Sequence, residues 1–197
     1  ITSADISMRV FPEGFVFESA GSVCFPNDSV DAGMLQCALN SSVVSVLLKA
    51  ISPTLSFSEG SIAALPLARV NGTAQIFEAL VSLSRWDWNA YERSWDFESI
   101  PILSLDVVCA PTLELRYVAW TSQIRGLILE MKRLEEENNR IFIDAYDLAG
   151  ELKPEVSIGK ITLTVNPAYR YGGKLSEDEQ WTRFREDTMQ ELVSYAI

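Results

Sequence analysis

Histidine is absent from this 197-residue chain. Serine–histidine triads, cysteine–histidine pairs and histidine metal sites are therefore excluded within it. Positive charge is scarce: 16 Lys+Arg stand against 27 Asp+Glu, a net charge of −11. The deficit falls in both parts, 5 against 12 in residues 1–110 and 11 against 15 in residues 111–197. No window forms the basic stripe that drives phosphate binding, so strong DNA binding by the chain alone is not expected. Only three cysteines occur, Cys24, Cys37 and Cys109. They cannot all pair internally, and their spacing fits no zinc ribbon or finger. They read as reduced, buried or half-buried thiols of a cytoplasmic protein. No apolar run approaches the length of a membrane span, since the longest, Val43 to Ile51, is broken by Ser45 and Lys49. Glycine-rich loops are missing too, and Tyr171-Gly172-Gly173-Lys174 lacks phosphate-loop spacing and reads as a turn. There is no internal repeat and no low-complexity segment.

What is present is an apolar content of 48%, enough for a real core. Three glycosylation sequons begin at Asn27, Asn40 and Asn71, but no secretory signal accompanies them. The chain begins at Ile1 without an initiator Met and reads as a piece of a larger protein.

The strongest periodic signal runs from residue 113 to 148. Leu113, Tyr117, Trp120, Ile124, Leu127, Met131, Leu134, Asn138, Ile141, Ala145 and Leu148 alternate in steps of four and three. This is a heptad seam, and it predicts one long helix of roughly 54 Å lying against partner helices. Asn138 is its polar member, placed to fix register. Gly150 supplies a stop and Pro154 forbids continuation. An ordinary long core helix is the plainer reading of the same pattern. On the heptad helix Glu135-Glu136-Glu137, the densest carboxylate run, reads as a solvated flank rather than an acid/base site.

Upstream, Ser7 to Phe11 and Phe15 to Phe17 read as short strands around a Pro12-Glu13-Gly14 turn, with Val23 to Phe25 a third. Asp28 or Ser29 can cap a helix running to about Ile51, closed by Pro53. Leu55 to Phe57 could add a strand, and Ser61 to Leu65 one helical turn. Thr73 starts a helix that turns Ile76, Phe77, Leu80 and Val81 inward. Arg85 to Phe97 holds five aromatics, Trp86, Trp88, Tyr91, Trp95 and Phe97, and suggests an anchored junction. As a base-stacking platform it lacks the expected basic residues. Pro101 and Pro111 bracket a linker. After Pro154, Ile161, Leu163 and Val165 alternate with Thr162 and Thr164, which predicts a half-buried strand. Ser176-Glu177-Asp178-Glu179 is a capping box opening a helix with Trp181, Phe184, Leu192 and Ala196. The expected class is α+β with helix in excess.

Several of these stretches resemble the PglX family, the adenine-specific DNA methyltransferases of BREX phage-defence systems. The run Leu134-Glu135-Glu136-Glu137-Asn138-Asn139-Arg140-Ile141-Phe142-Ile143-Asp144-Ala145-Tyr146-Asp147-Leu148, then Glu151-Leu152-Lys153-Pro154-Glu155-Val156, carries the closest likeness. Trp86 to Phe97 and Asp187 to Ile197 resemble the same family in the same order. A broader likeness covers residues 7 to 67: Arg9 to Phe17, Leu39-Asn40-Ser41, Ser52 to Phe57 and Gly60 to Leu67. It is similar to the target-recognition segment that follows the catalytic core, joined to helical spacers. The resemblance implies a mixed target-recognition-like module at 1–70, a helix and aromatic linker at 71–112, a spacer helix at 113–150, and a strand, turn and helix at 151–197.

For the whole enzyme the resemblance implies methyl transfer from S-adenosylmethionine to adenine, with DNA, and possible phage-defence subunits, as partners in the cytoplasm and no membrane. No stretch resembles the glycine-bearing turn that holds that cofactor. Asn166-Pro167-Ala168-Tyr169 resembles the Asn-Pro-Pro-Tyr motif that grips a flipped adenine, with Ala168 replacing the second proline. It lies downstream of the catalytic region, so it reads as a strand exit: Asn166 bonds local backbone, and Tyr169 and Tyr171 pack on helices. No residue is assigned a catalytic, cofactor or metal role, and no DNA-contacting residue can be named. The rival reading is a structural or interaction module that uses the heptad face and has no direct DNA role.

Overall fold

The computed structural model describes residues 6–17, 23–27, 31–52, 57–104 and 110–196. Among these residues the fold is helical and contains no strand, which corrects the α+β expectation. The helices are α1 (Ala32–Leu39), α2 (Ser42–Ile51), α3 (Glu59–Ala63), α4 (Thr73–Asn89), α5 (Pro101–Ser104), α6 (Leu113–Ala145), α7 (Pro167–Arg170) and α8 (Glu177–Tyr195). The chain divides into two compact units, Ile1–Val81 with Leu134–Glu155, and Ser82–Arg133 with Val156–Ile197. Both α4 and α6 contribute residues to each. No single helix among the described residues is long and apolar enough to cross a membrane.

In the first unit, the helix expected to reach Ile51 from Asp28 or Ser29 breaks in two. Those two residues lie outside the described ones, and Asp31 is the cap, its carboxylate accepting from Met34 N at 2.6 Å. Ser41 makes the break. Its hydroxyl donates to Ala38 O at 2.7 Å and accepts from Val44 N at 3.3 Å, so it closes α1 and caps α2. The two helices meet at a 66° bend. Two adjacent asparagines of α6 secure it. Asn138 donates to the Cys37 carbonyl at 2.9 Å, and Asn139 accepts from Ser42 N at 2.9 Å while donating to Pro154 O at 3.1 Å. Helix ends leave such groups without partners, and here they are satisfied from a neighbouring helix. Around them Cys37, Ala38, Val43, Ile76, Phe142 and Ile143 form one core cluster, and Ile6, Leu39, Val44, Leu48 and Leu65 another. Gly33 lets the Phe77 ring approach closely, since a Cβ at this position would meet that ring at 3.0 Å.

The expected strands in residues 7–17 are not formed, although Glu13-Gly14 does turn, with Gly14 at φ 91°. The Met8 backbone finds side chains instead of a ladder. Its N–H donates to Asn40 Oδ1 at 2.9 Å, and its carbonyl accepts from Gln36 at 2.7 Å and Asn40 at 3.2 Å. Val23 to Phe25 is likewise irregular. Leu55 and Ser56 lie outside the described residues.

Helix α6 is the long helix of the heptad reading, and Thr112 opens it, accepting from Leu115 N at 3.2 Å. It ends earlier than Gly150. Asp147 takes the left-handed conformation (φ 55°), Leu148 N donates to Ile143 O at 2.9 Å, and Asp147 N to Asp144 O at 3.1 Å. These paired bonds are a Schellman closure, with Ile143 and Leu148 supplying its apolar contact. The buried face also departs from the heptad. Trp120, Met131 and Phe142 recur at eleven residues, as do Ile128 and Asn139, and all are buried. Of the heptad members, Trp120, Ile124, Met131, Leu134 and Asn138 are buried, Leu127 is half-buried, and Leu113 and Ala145 are exposed. Eleven residues make three turns of about 3.67, close to an unstrained α-helix, whereas a heptad requires supercoiling.

Glu135 is not on a solvated flank. Burial pushes its carboxyl from the ordinary 4.5 up to about 7, against a smaller opposing pull from Arg9. The folded chain therefore holds this proton where the unfolded chain has lost it. The stability this contributes is complete below about pH 4.5 and disappears as pH rises through 7. Glu135→Gln should melt with the parent at pH 4.5 and a few degrees above it at pH 8, a shift of order 2–4 °C per kcal/mol. Equal melting temperatures at both pH values would contradict this.

Candidate functional site

The second unit gathers the residues that looked most like chemistry. Ile161, Leu163 and Val165 are all buried, as the alternation required, but they lie on turns and extended backbone. The missing ladder partner is a side chain. Asp87 of α4, itself buried, accepts from Thr164 N at 2.8 Å and Val165 N at 2.9 Å. One carboxylate fixes two successive amides, as the neighbouring strand of a sheet would not.

Asn166 sits at the end of this loop and is 1% exposed. Its amide donates to Ile158 O at 2.7 Å and Ile161 O at 2.9 Å, and its oxygen accepts from Ala168 N at 3.2 Å. It is the N-cap of α7, and Pro167 occupies the first helical position, where its missing N–H costs nothing. The Asn-Pro-Ala-Tyr sequence is thus satisfied as a loop-to-helix cap. Every hydrogen-bonding group of the asparagine side chain is engaged within its own segment, and no donor remains directed at a base. Tyr171 packs on α8 through its hydroxyl, which donates to Asp187 at 2.7 Å. Burial, and then that bond, push the Tyr171 phenol well above its ordinary range. Tyr169 does not pack as expected and is 49% exposed.

The aromatic run acquires in three dimensions some of the positive charge it lacks in sequence. Arg93 lies 4.6 Å from the centre of the Trp88 ring and 5.0 Å from that of Tyr91, and donates to Thr164 Oγ1. Arg170 pairs with Asp187 at 3.2 Å and Glu191 at 3.0 Å. On α6 and α8, Arg125 stacks over Trp181 at 4.2 Å and Arg185 over Tyr117 at 5.4 Å. Stacking holds a guanidinium by its face and leaves its in-plane N–H edge available for anions. Arg125 also pairs with Glu177 at 3.3 Å. No linear motif marks these contacts, since the partners lie 17 to 71 positions apart where they cross elements.

The first unit offers a surface of a different kind. Phe11 stacks against Phe15 and Phe17 at 5.6 and 5.7 Å, and Phe17 against Phe25 at 6.2 Å. All four rings are exposed, as is Val16. Among the described residues no group of three or more acidic or cysteine side chains could hold a metal ion. Cys37 is buried and free, its thiol pushed up to about 11 by burial, and Cys24 is exposed and free. Cys109 lies outside the described residues.

No family model matches the sequence. Among curated proteins, the adenine-specific methyltransferase PglX of Lacticaseibacillus casei (strain Zhang) is 37% identical over 159 residues, 79% of this chain and 13% of its own length. The adenine-specific methyltransferase BrxX of Escherichia coli O9:H4 (strain HS) is 27% identical over 199 residues, 100% of this chain and 16% of its own length. The chain belongs to the PglX/BrxX-type methyltransferase family. It spans about one seventh of the length of these relatives. The family likeness read from Leu134–Leu148 thus holds, and that stretch is the one whose Asn138 and Asn139 clamp the α1–α2 break. In this PglX/BrxX-type chain the aromatic run serves packing through Trp86, whose ring lies 5.6 Å from the buried Trp120. Trp88 and Trp95 remain on the surface.

Proposed function

We propose that this chain is a non-catalytic target-recognition and spacer module of a site-specific N6-adenine DNA methyltransferase of a BREX-type phage-defence system, acting in the cytoplasm. The whole enzyme would pass a methyl group from S-adenosylmethionine to the adenine amino group of its site. The observation that carries the non-catalytic part is the engagement of Asn166, whose amide and carbonyl are spent on Ile158, Ile161 and Ala168. The likeness to two named adenine-specific methyltransferases supports the parent activity. The residues present do not fit S-adenosylmethionine. The motif nearest to the methyltransferase pattern is a helix cap, and among the described residues no strand leads into a glycine turn.

The stacked guanidiniums of Arg125 and Arg185 are suited to phosphate oxygens, but the charge of −11 limits what they can hold. A second reading, an interaction module that docks another subunit, is favoured by the exposed Phe11, Phe15, Phe17 and Phe25 cluster.

Calorimetry on the chain tests the proposal. S-adenosylmethionine should give no binding isotherm, and duplex DNA should bind no more tightly than about 1 μM at physiological salt, weakening steeply as salt rises. One-to-one micromolar binding of the cofactor would overturn the non-catalytic assignment. Loss of all DNA binding even at low salt, together with concentration-dependent self-association in light scattering, would favour the interaction reading.

A further inference from the structure

The second unit holds a cavity of about 200 Å³ that the proposed function does not use. Its wall includes Tyr91, Phe97, Trp120, Phe184, Glu92 and Glu191. Trp120 and Phe184 are fixed core residues of α6 and α8, 4% and 2% exposed. Phe97 is held edge-on against Tyr195 at 5.9 Å. Protein interiors are ordinarily close-packed, and an apolar cavity of about 150 Å³ already admits benzene. This one is large enough for a ligand and is not purely apolar.

The charged side chains on its wall, Glu92 and Glu191, share one sign. Arg170 faces two carboxylates, Asp187 and Glu191, so that cluster keeps one negative charge. Glu92 on the wall and buried Asp87 add two more, and Arg93, over the Tyr91 ring, offsets one. The Tyr91 phenol feels Asp87, Glu191, Arg170 and Arg93. Burial first, and then Asp87 and Glu191, push its ionisation well up, so it stays a neutral phenol. Four aromatic rings, two carboxylates on the wall and a net negative surround repel anions. They favour a cation with an apolar body, because ring faces carry negative potential and apolar walls receive the alkyl part.

We propose that this cavity binds an alkylammonium group, presented by a free amine or by a lysine side chain. The proposal is independent of the methyltransferase reading, since it needs only the second unit's own residues. Binding of n-hexylammonium, Nα-acetyl-lysine methylamide and the uncharged n-hexanol to the whole chain can be followed by calorimetry and by intrinsic tryptophan fluorescence, to which wall residue Trp120 contributes. Saturable one-to-one binding of at least one of the two ammonium compounds is expected, at least about tenfold tighter than n-hexanol. The tighter of the two identifies the source, free amine or lysine. Glu92→Gln, at an exposed position, should weaken the ammonium about fivefold or more at an unchanged melting temperature. Phe97→Ala should weaken it by a similar factor, with some loss of melting temperature from the lost Tyr195 contact. Absence of saturable ammonium binding overturns the proposal, as does equal binding of n-hexanol. Unchanged affinity in both variants would also overturn it, by placing the ligand elsewhere.

Discussion

Asp87→Ala should be among the most destabilising single substitutions in the second unit. The carboxylate is 5% exposed and accepts from two consecutive amides, Thr164 N at 2.8 Å and Val165 N at 2.9 Å. A buried N–H left without a partner costs about 1–3 kcal/mol, and bonds to charged groups lie at the strong end of the range. Losing both should cost about 3 kcal/mol, or about 6–12 °C in melting temperature for a chain of this length. Asp87→Asn retains one acceptor oxygen and should lose about half as much. The loosened segment is 164–165, so its amides should exchange with solvent much faster in either variant. Thermal melts followed by circular dichroism, with amide exchange at Thr164 and Val165, provide the check. A shift under about 2 °C would show that water replaces the carboxylate at little cost.

Asn166→Ala is the second large effect. The substitution leaves the carbonyls of Ile158 and Ile161 without their donor and removes the cap on Ala168 N. Caps are worth about 1 kcal/mol and each buried bond about as much again, which sums to about 2–3 kcal/mol. The loss should appear in thermal melts of the chain alone, with no DNA and no cofactor present. Tyr169→Ala, three positions on, should leave the melting temperature nearly unchanged, because that ring is 49% exposed. A base-gripping motif would behave differently, with Asn166 dispensable for folding. An unchanged melting temperature for Asn166→Ala would therefore support a catalytic motif.

Local signals proved readable where the chain satisfies itself within a few residues. The Ser176–Glu179 capping box forms with both of its bonds, and Thr73 begins α4. The long helix was legible because its apolar positions recur over nine turns. Its seam was legible in part: Trp120, Ile124, Met131, Leu134 and Asn138 are buried, and so are Ile128, Asn139, Phe142 and Ile143 beside it. The strands were misread for one reason in two places. Alternation reports that successive side chains face different surroundings, and says nothing of what meets the backbone between them. At Met8 that partner is Asn40 with Gln36, and at Thr164 it is Asp87, from 32 and 77 positions away. The α1–α2 break was hidden for the same reason. Ser41 reads as one polar residue in an apolar run until Asn138 and Asn139 arrive from α6. The arginine–ring contacts depend on the tertiary fold altogether.

The most direct test of the non-catalytic assignment is the methylation rate of a complete adenine-specific methyltransferase carrying this segment with Tyr169→Ala. This variant separates the roles cleanly, because its ring contributes little to the fold and would be indispensable to a base-stacking grip. The expected result is an unchanged melting temperature and a rate within about threefold of the parent, as for an ordinary surface substitution. A fall of about a hundredfold with the fold intact, the size expected when a stacked base loses its aromatic partner, would contradict it and place the active site in this segment.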